Sequence, residues 1–201
     1  MTTPRTADHP IDRQFLDRWS PRAFTGEALP AETLLTLLEA ARWAPSAFNS
    51  QPWRFVYAHR DTPAWGPVFD TLSATNQGWA RQAGALVVVL SSTHWTPPGK
   101  DAPEPLRSHA FDAGAAWGYL ALQARLAGWD AHAMGGFDRE RARQSLGLPE
   151  TLEPQAVVAI GRRGDKSVLP DALQAREAPN GRRPLAGSIF EGRVGPAASG
   201  G

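Results

Sequence analysis

Glu39-Ala-Ala-Arg-Trp-Ala-Pro-Ser-Ala-Phe-Asn-Ser-Gln-Pro-Trp-Arg-Phe55 is the stretch on which the fold turns. It begins as the end of a helix, stops at Pro45, crosses a short polar segment and re-enters apolar sequence after Pro52. Between the prolines, Ser46, Asn49, Ser50 and Gln51 supply four neutral hydrogen-bonding side chains. Residues of this kind favour turns on their own account. Their density also suits a ligand with a polar, uncharged edge. A second segment, Arg18-Trp-Ser-Pro-Arg-Ala-Phe24, favours the ligand: two arginines and a hydroxyl at a chain reversal can hold a phosphate.

Upstream of the opening stretch, Ile11, Phe15 and Trp19 recur at four-residue spacing, which predicts a short helix ended by Ser20-Pro21. Pro30 sits in the first turn of a second helix, where its missing N–H is harmless, and Leu34, Leu37, Leu38 and Ala41 give that helix one apolar face. Downstream, Phe55 to Tyr57 reads as a strand. Residues 63–80 read as one helix with Val68, Phe69, Leu72 and Trp79 on its buried face. Leu86 to Leu90 is a continuous apolar run and predicts a strand covered on both faces. Residues 93–106, with four prolines, read as a loop long enough to form a lid or pocket rim.

Residues 107–126 are the longest predicted helix. Its many Ala and Gly residues, Gly114 and Gly118 among them, let neighbouring backbones approach closely, either in the core or at a subunit interface. A strand, the double glycine Gly135-Gly136, and a helix over 139–146 capped by Asp138 follow. Gly135 and Gly136 bare the backbone before a helix N-terminus, as a tight turn or as a place to meet ligand acceptors. Asp112 and Asp138 read as helix-surface or cap residues. Residues 154–161 form another buried strand and Leu185 to Phe190 a last apolar piece. A flexible leader is expected over residues 1–11, a single domain over 12–193 and a flexible tail over 194–201.

The 201 residues carry a net charge of +1, with 42% hydrophobic residues. That balance argues against a nucleic-acid or membrane-surface partner. No run reaches the ~18 apolar residues of a membrane span. There is no cysteine, so neither a disulfide frame nor a thiolate nucleophile is available, which fits a cytoplasmic protein. Hydrolase, P-loop and zinc-protease motifs are missing, and the five histidines lack ligand spacing, so no metal is expected. What remains is a binding inventory: arginines at 18, 22, 182 and 183, neutral polar groups at 46–51, bare amides at 135 and 136, and eight tryptophans. A phosphorylated, flat heteroaromatic cofactor would use all of these, and would itself carry the reactivity.

Four motifs in order, Arg18-x-Ser20-x-Arg22-x-Phe24, Ala44-Pro-Ser46-x-x-Asn49-x-Gln51-Pro-Trp53-x-Phe55, Gly135-Gly-Phe-Asp138 and Arg182-Arg-Pro184, resemble the FMN-dependent nitroreductase family. The resemblance implies an α+β fold: a central mixed, mostly antiparallel sheet flanked by helices, in a domain-swapped homodimer with C-terminal exchange. Leu185 to Phe190 would be the exchanged strand. It implies FMN at the dimer interface, with Arg18, Trp19, Ser20, Arg22 and Arg182 or Arg183 about the phosphate and ribityl end. Pro45, Ser46, Ala47 and Asn49 would come from the partner. Asn76 would meet the pyrimidine edge, and the backbone of Met134, Gly135 and Gly136 would cover the ring. NADH or NADPH would be the donor and a small electrophile such as a nitroaromatic or quinone the acceptor, in ping-pong turnover. A flavin-binding sensor or store without turnover is the rival, as is a member of the fold that degrades flavin or dehalogenates. The family often has proline where this chain has Ala133, and some members have glutamate where it has Gly135. These differences alter the pocket floor, so no particular substrate carries over.

Overall fold

The computed structural model describes residues 5–194. The chain runs through α1 (Arg13–Asp17), α2 (Ala31–Arg42), β1 (Trp53–His59), α3 (Trp65–Phe69), α4 (Ala74–Ala80), β2 (Ala85–Ser92) and the two-residue strands β3 (His94–Trp95) and β4 (Glu104–Pro105). It continues through α5 (His109–Leu126), β5 (Asp130–Met134), α6 (Arg139–Ser145), β6 (Leu152–Gly161) and α7 (Asp171–Gln174). Four strands pair in the order β1-β2-β6-β5, every pair antiparallel. A mixed sheet was expected, but the described residues of one chain supply no parallel strand.

The continuous apolar run of β2 is explained by what covers it. Side chains alternate across a strand, so Leu86, Val88 and Leu90 face one core with Phe24, Val68, Trp79 and Val157. Val87 and Val89 face a second core with Leu34, Leu37, Leu120, Val158 and Ile160. Helices α2 and α5 cover one face of the sheet, and α3, α4 and α6 lie on the other. Each fully buried Val or Leu contributes about 1.5–3 kcal/mol, so these inner strands hold the layers together. Pro154, which cannot donate to the ladder, sits beside a register shift between Val89 and Leu90, where a bulge tolerates it.

Residues 63–80 do not form the single expected helix. The Thr71 carbonyl accepts from Asp138 N–H (2.8 Å) and Leu72 pairs with Phe137 as an antiparallel bridge. The chain is thereby pinned between α3 and α4, and Ser73 restarts the helix as its cap. Residues 93–106 are not all loop, since β3 and β4 pair there. Leu185 to Phe190 is not a strand within its own chain: Leu185–Gly187 is a single 3-10 turn. From Arg5 onward, the leader expected to be flexible makes specific contacts, such as the Asp8 carboxylate accepting from Leu185 N–H (2.7 Å). Of the tail expected over 194–201, residues 195–201 lie outside the described residues.

Gly84 joins the sheet to the segment that crosses above it. A Cβ there would lie 2.8 Å from both the Glu27 carbonyl oxygen and the Leu29 nitrogen, which are backbone atoms that cannot swing away. Gly78, within α4, has nothing within 4 Å of that position. Gly84→Ala should therefore cost about 1–3 kcal/mol, while Gly78→Ala should add about 0.5–1 kcal/mol through helix propensity. Urea unfolding midpoints read both, and equal effects of the same sign would contradict this packing.

Candidate functional site

The residues flanking Ser20-Pro21 come together around a polar cavity of about 180 Å³. Arg18, Trp19, Ser20 and Arg22 line it from the N-terminal side, Arg176, Ala178, Asn180 and Arg182 from the C-terminal side, and His132 and Arg5 complete it. Half of its ten lining residues are arginines and none is acidic, which selects an anion. Arg18 Nη1 donates to Ser20 Oγ (3.3 Å). Burial lowers the Arg18 pKa, and the charges of Arg5 and Arg182 lower it further.

Two carboxylates hold this cationic wall from behind. Glu177 Oε1 accepts from the backbone N–H groups of Arg22 (2.6 Å) and Ala23 (2.9 Å) and lies within 3.7 Å of the Arg22 guanidinium through Oε2. Asp130, itself buried, takes a two-pronged bond from Arg163 (2.9 and 3.2 Å), whose guanidinium lies over the Trp19 ring. Trp19 is buried with its Nε1–H unpartnered, so it forms floor more than rim.

From the arginine cavity β5 leads to the double glycine. His132 donates from Nδ1 to the Pro21 carbonyl (3.0 Å), and its ring lies 4.7 Å from that of Trp79. Two residues on, Met134 is buried, and Gly135, about 10 Å from His132 at strand rise, is exposed together with Gly136. Asn76 Nδ2 donates to the Gly136 carbonyl (2.9 Å), which also accepts from Ser73 N–H (3.0 Å). A Cβ on Gly136 would meet Asn76 Nδ2 at 2.9 Å, whereas one on Gly135 would meet nothing within 4 Å. The break between α3 and α4 thus places Asn76 beside the glycines.

The loop from Pro45 to Gln51 stands apart. None of its residues lines the arginine cavity. Ser46 Oγ accepts from Gln51 N–H (3.0 Å), and Ala47 N–H donates to Asp112 Oδ2 (3.2 Å). Asp112, expected to be a helix-surface or cap residue, is instead buried, and Ser108 Oγ also donates to it (2.9 Å). Phe48, Asn49 and Gln51 all have positive φ (54°, 52° and 46°), a conformation costing about 1–2 kcal/mol for an ordinary L-residue. Phe48 is 81% exposed and stacks on Trp95.

Of the two C-terminal arginines, only Arg182 lines the arginine cavity. Arg183 faces an adjoining recess of about 670 Å³ between the leader and residues 181–188. A larger groove of about 740 Å³ runs between α2 and the edge strand β1, but Glu32 and Glu39 stand against its arginines and no like-charged cluster converges there. Ser91, His109 and Glu153 superficially form a hydrolytic triad, with Ser91 Oγ 2.8 Å from His109 Nδ1 and His109 Nε2 3.9 Å from Glu153. Ser91 has no exposed surface, so this network braces β2 against α5 and β6. Sequence reading missed Arg5, His132, Arg176, Asn180 and Glu177. An isolated basic residue carries no sign of which cavity it faces, and Glu177 acts across 155 positions.

The Nitroreductase family model matches residues 16–64 and 57–162. An uncharacterized 15.4 kDa protein of Mycolicibacterium smegmatis is 37% identical over 150 residues, 71% of this chain and 97% of that protein. An NADH dehydrogenase of Thermus thermophilus is 32% identical over 173 residues, 73% of this chain and 83% of that protein. A crystal structure of an oxidoreductase containing FMN is 48% identical, with a TM-score of 0.92 over 97% of this chain and 98% of that one. The chain belongs to the nitroreductase family.

Burial pulls the His132 pKa below its ordinary value of 6.5; the Pro21 carbonyl opposes the shift and the Arg22 charge reinforces it. The neutral ring is therefore the native form. Its contribution to stability is complete above the unfolded value and is lost as pH falls from about 6.5 through the lower folded value. Urea midpoints measured between about pH 7 and about pH 5 should fall less steeply for His132→Gln than for the parent protein. Parallel slopes would mean that His132 is not buried neutral.

Proposed function

We propose that this member of the nitroreductase family is an FMN-dependent oxidoreductase that takes hydride from NADH or NADPH and reduces a small electrophilic acceptor, such as a quinone or nitroaromatic. The observation that carries this reading is the acid-free cavity of five arginines, continued along β5 to exposed glycines beside Asn76. An anionic end and a neutral polar end, joined by one strand, fit a phosphate and a flavin ring. FMN held there would supply two-electron chemistry between nicotinamide and acceptor, in alternating, ping-pong half-reactions.

The chain's own residues bind and orient. Arg18, Arg22 and Arg182, with Ser20, neutralise the phosphate while Glu177 fixes the backbone that carries Arg22. Trp19 floors the phosphate end, and Asn76 with the backbone of Met134, Gly135 and Gly136 meets the ring. Pro45, Ser46, Ala47 and Asn49 reach the flavin of a second subunit in a homodimer. Two observations support the dimer. The outer face of α5 exposes Phe111, Tyr119 and Leu126, and Gly114 and Gly118 have no neighbour within 4 Å of a Cβ position. Leu185, Ile189 and Phe190, exposed in their own chain, form the exchanged segment, and the uncovered β1 edge offers a place for it to pair. Pairing parallel to β1 would produce the mixed sheet. The cytoplasm, which supplies NADH and NADPH, belongs to the same reading.

The purified protein should be yellow, bleach anaerobically with NADH or NADPH, and recover colour with a quinone. Initial-rate plots at several acceptor concentrations should be parallel. Arg182→Ala should weaken FMN about ten- to hundredfold, the scale of one or two charge-assisted hydrogen bonds, and Arg183→Ala less than about threefold. A colourless protein that does not take up FMN, or flavin that ignores both nucleotides, would remove this function.

A further inference from the structure

We propose that Arg5, a residue of the N-terminal leader, is itself a phosphate-gripping residue, so that the leader is a working wall of the cofactor site. This rests on the flavin reading above. Arg5 Nη1 donates to the carbonyls of Leu16 (2.6 Å) and Arg18 (2.7 Å) at the end of α1. Those two bonds consume both protons of Nη1 and fix the plane of the guanidinium. Nε and Nη2 take no partner among the described residues, and the group lines the arginine cavity with Arg18 and Arg182.

A tether alone would not place a cation there. Burial and the charge of Arg182 both depress the Arg5 pKa, and only Asp17 works against them. The leader gains little apolar packing in return, because a recess of about 670 Å³ lies between it and residues 181–188. Its firm ties are polar: Arg5 at the cavity and Asp8 on Leu185 N–H. A dianion in the cavity sets three attractions against the repulsion among Arg5, Arg18 and Arg182. The planar fork, already aimed by two carbonyls, binds it with little further loss of side-chain freedom.

The test compares FMN with riboflavin, which has the same ring and no phosphate, in fluorescence titrations of the apoprotein. Arg5→Gln should weaken FMN about tenfold, the loss of one charge-assisted bond, and leave riboflavin within about twofold. Arg5→Lys, which keeps the charge without the fork, should fall between. Truncation through His9 should act like Arg5→Gln. Unchanged FMN affinity in Arg5→Gln would overturn the inference and leave the flavin reading intact. Equal weakening of FMN and riboflavin would also overturn it, reducing Arg5 to a tie between the leader and α1. A parent protein that binds neither flavin would overturn the flavin reading and this inference together.

Discussion

Gathering five guanidinium groups about a 180 Å³ cavity sets like charges side by side, and the surrounding structure is arranged to contain their repulsion. The charges of Arg5 and Arg182 both act on Arg18, and such repulsion is felt most where water is partly excluded. Two devices contain the repulsion without cancelling it. Glu177 is spent on backbone N–H groups as well as on Arg22, and Asp130 is committed to Arg163 in the layer behind. Neither carboxylate lines the cavity, so the anion-selecting face stays uniformly positive. The net charge of +1 hides this completely. Global neutrality argues against a nucleic-acid surface, yet it says nothing about a local field.

The sheet's inner strands make the containment possible. Strand β2 and the Val157–Gly161 half of β6 are buried on both faces, so they form a rigid plate, and the neighbouring β5 is registered on that plate through Asp130–Met134. His132 is therefore held in line by backbone pairing, and the glycines follow directly after Met134, the last paired residue. Asn76 arrives from the opposite direction, on a helix whose start is set where Thr71 and Leu72 dock against Phe137 and Asp138. Two independent segments converge on one carbonyl, that of Gly136.

The apolar runs were legible because burial on two faces leaves a plain signal in sequence: β2, β6 and the α2 face follow from pattern alone. The single helix over 63–80 was misread because helical periodicity continues through Thr71 and Leu72. Their departure from the helix is caused by a partner more than sixty residues away. Arg18, Ser20 and Arg22 were legible as a group because they are neighbours in the chain. Arg176, Asn180 and His132 were not, since a side chain contributing to a cavity through tertiary packing has no local periodicity to betray it. Asp112 shows the same limit in a different form. Its helix position fits surface exposure, and only the approach of Ala47 N–H makes it a buried anchor.

That anchor bears on why the loop is built as it is. Three non-glycine residues at positive φ within four positions are costly, and glycine would relieve each one. Strain of this kind persists only where surroundings over-determine it, as Asp112 on Ala47 and Ser46 on Gln51 do here. Within one chain the strain accomplishes nothing visible, because the loop faces no cavity shared with the arginines and Phe48 stands 81% exposed. The apolar outer face of α5 is also unmatched by anything among the described residues. A second copy resolves both on the proposed reading: it covers α5, and it gives the stiffened loop a flavin edge to meet. Charge would then be supplied by one subunit and neutral recognition by the other, so neither subunit alone would hold a complete site.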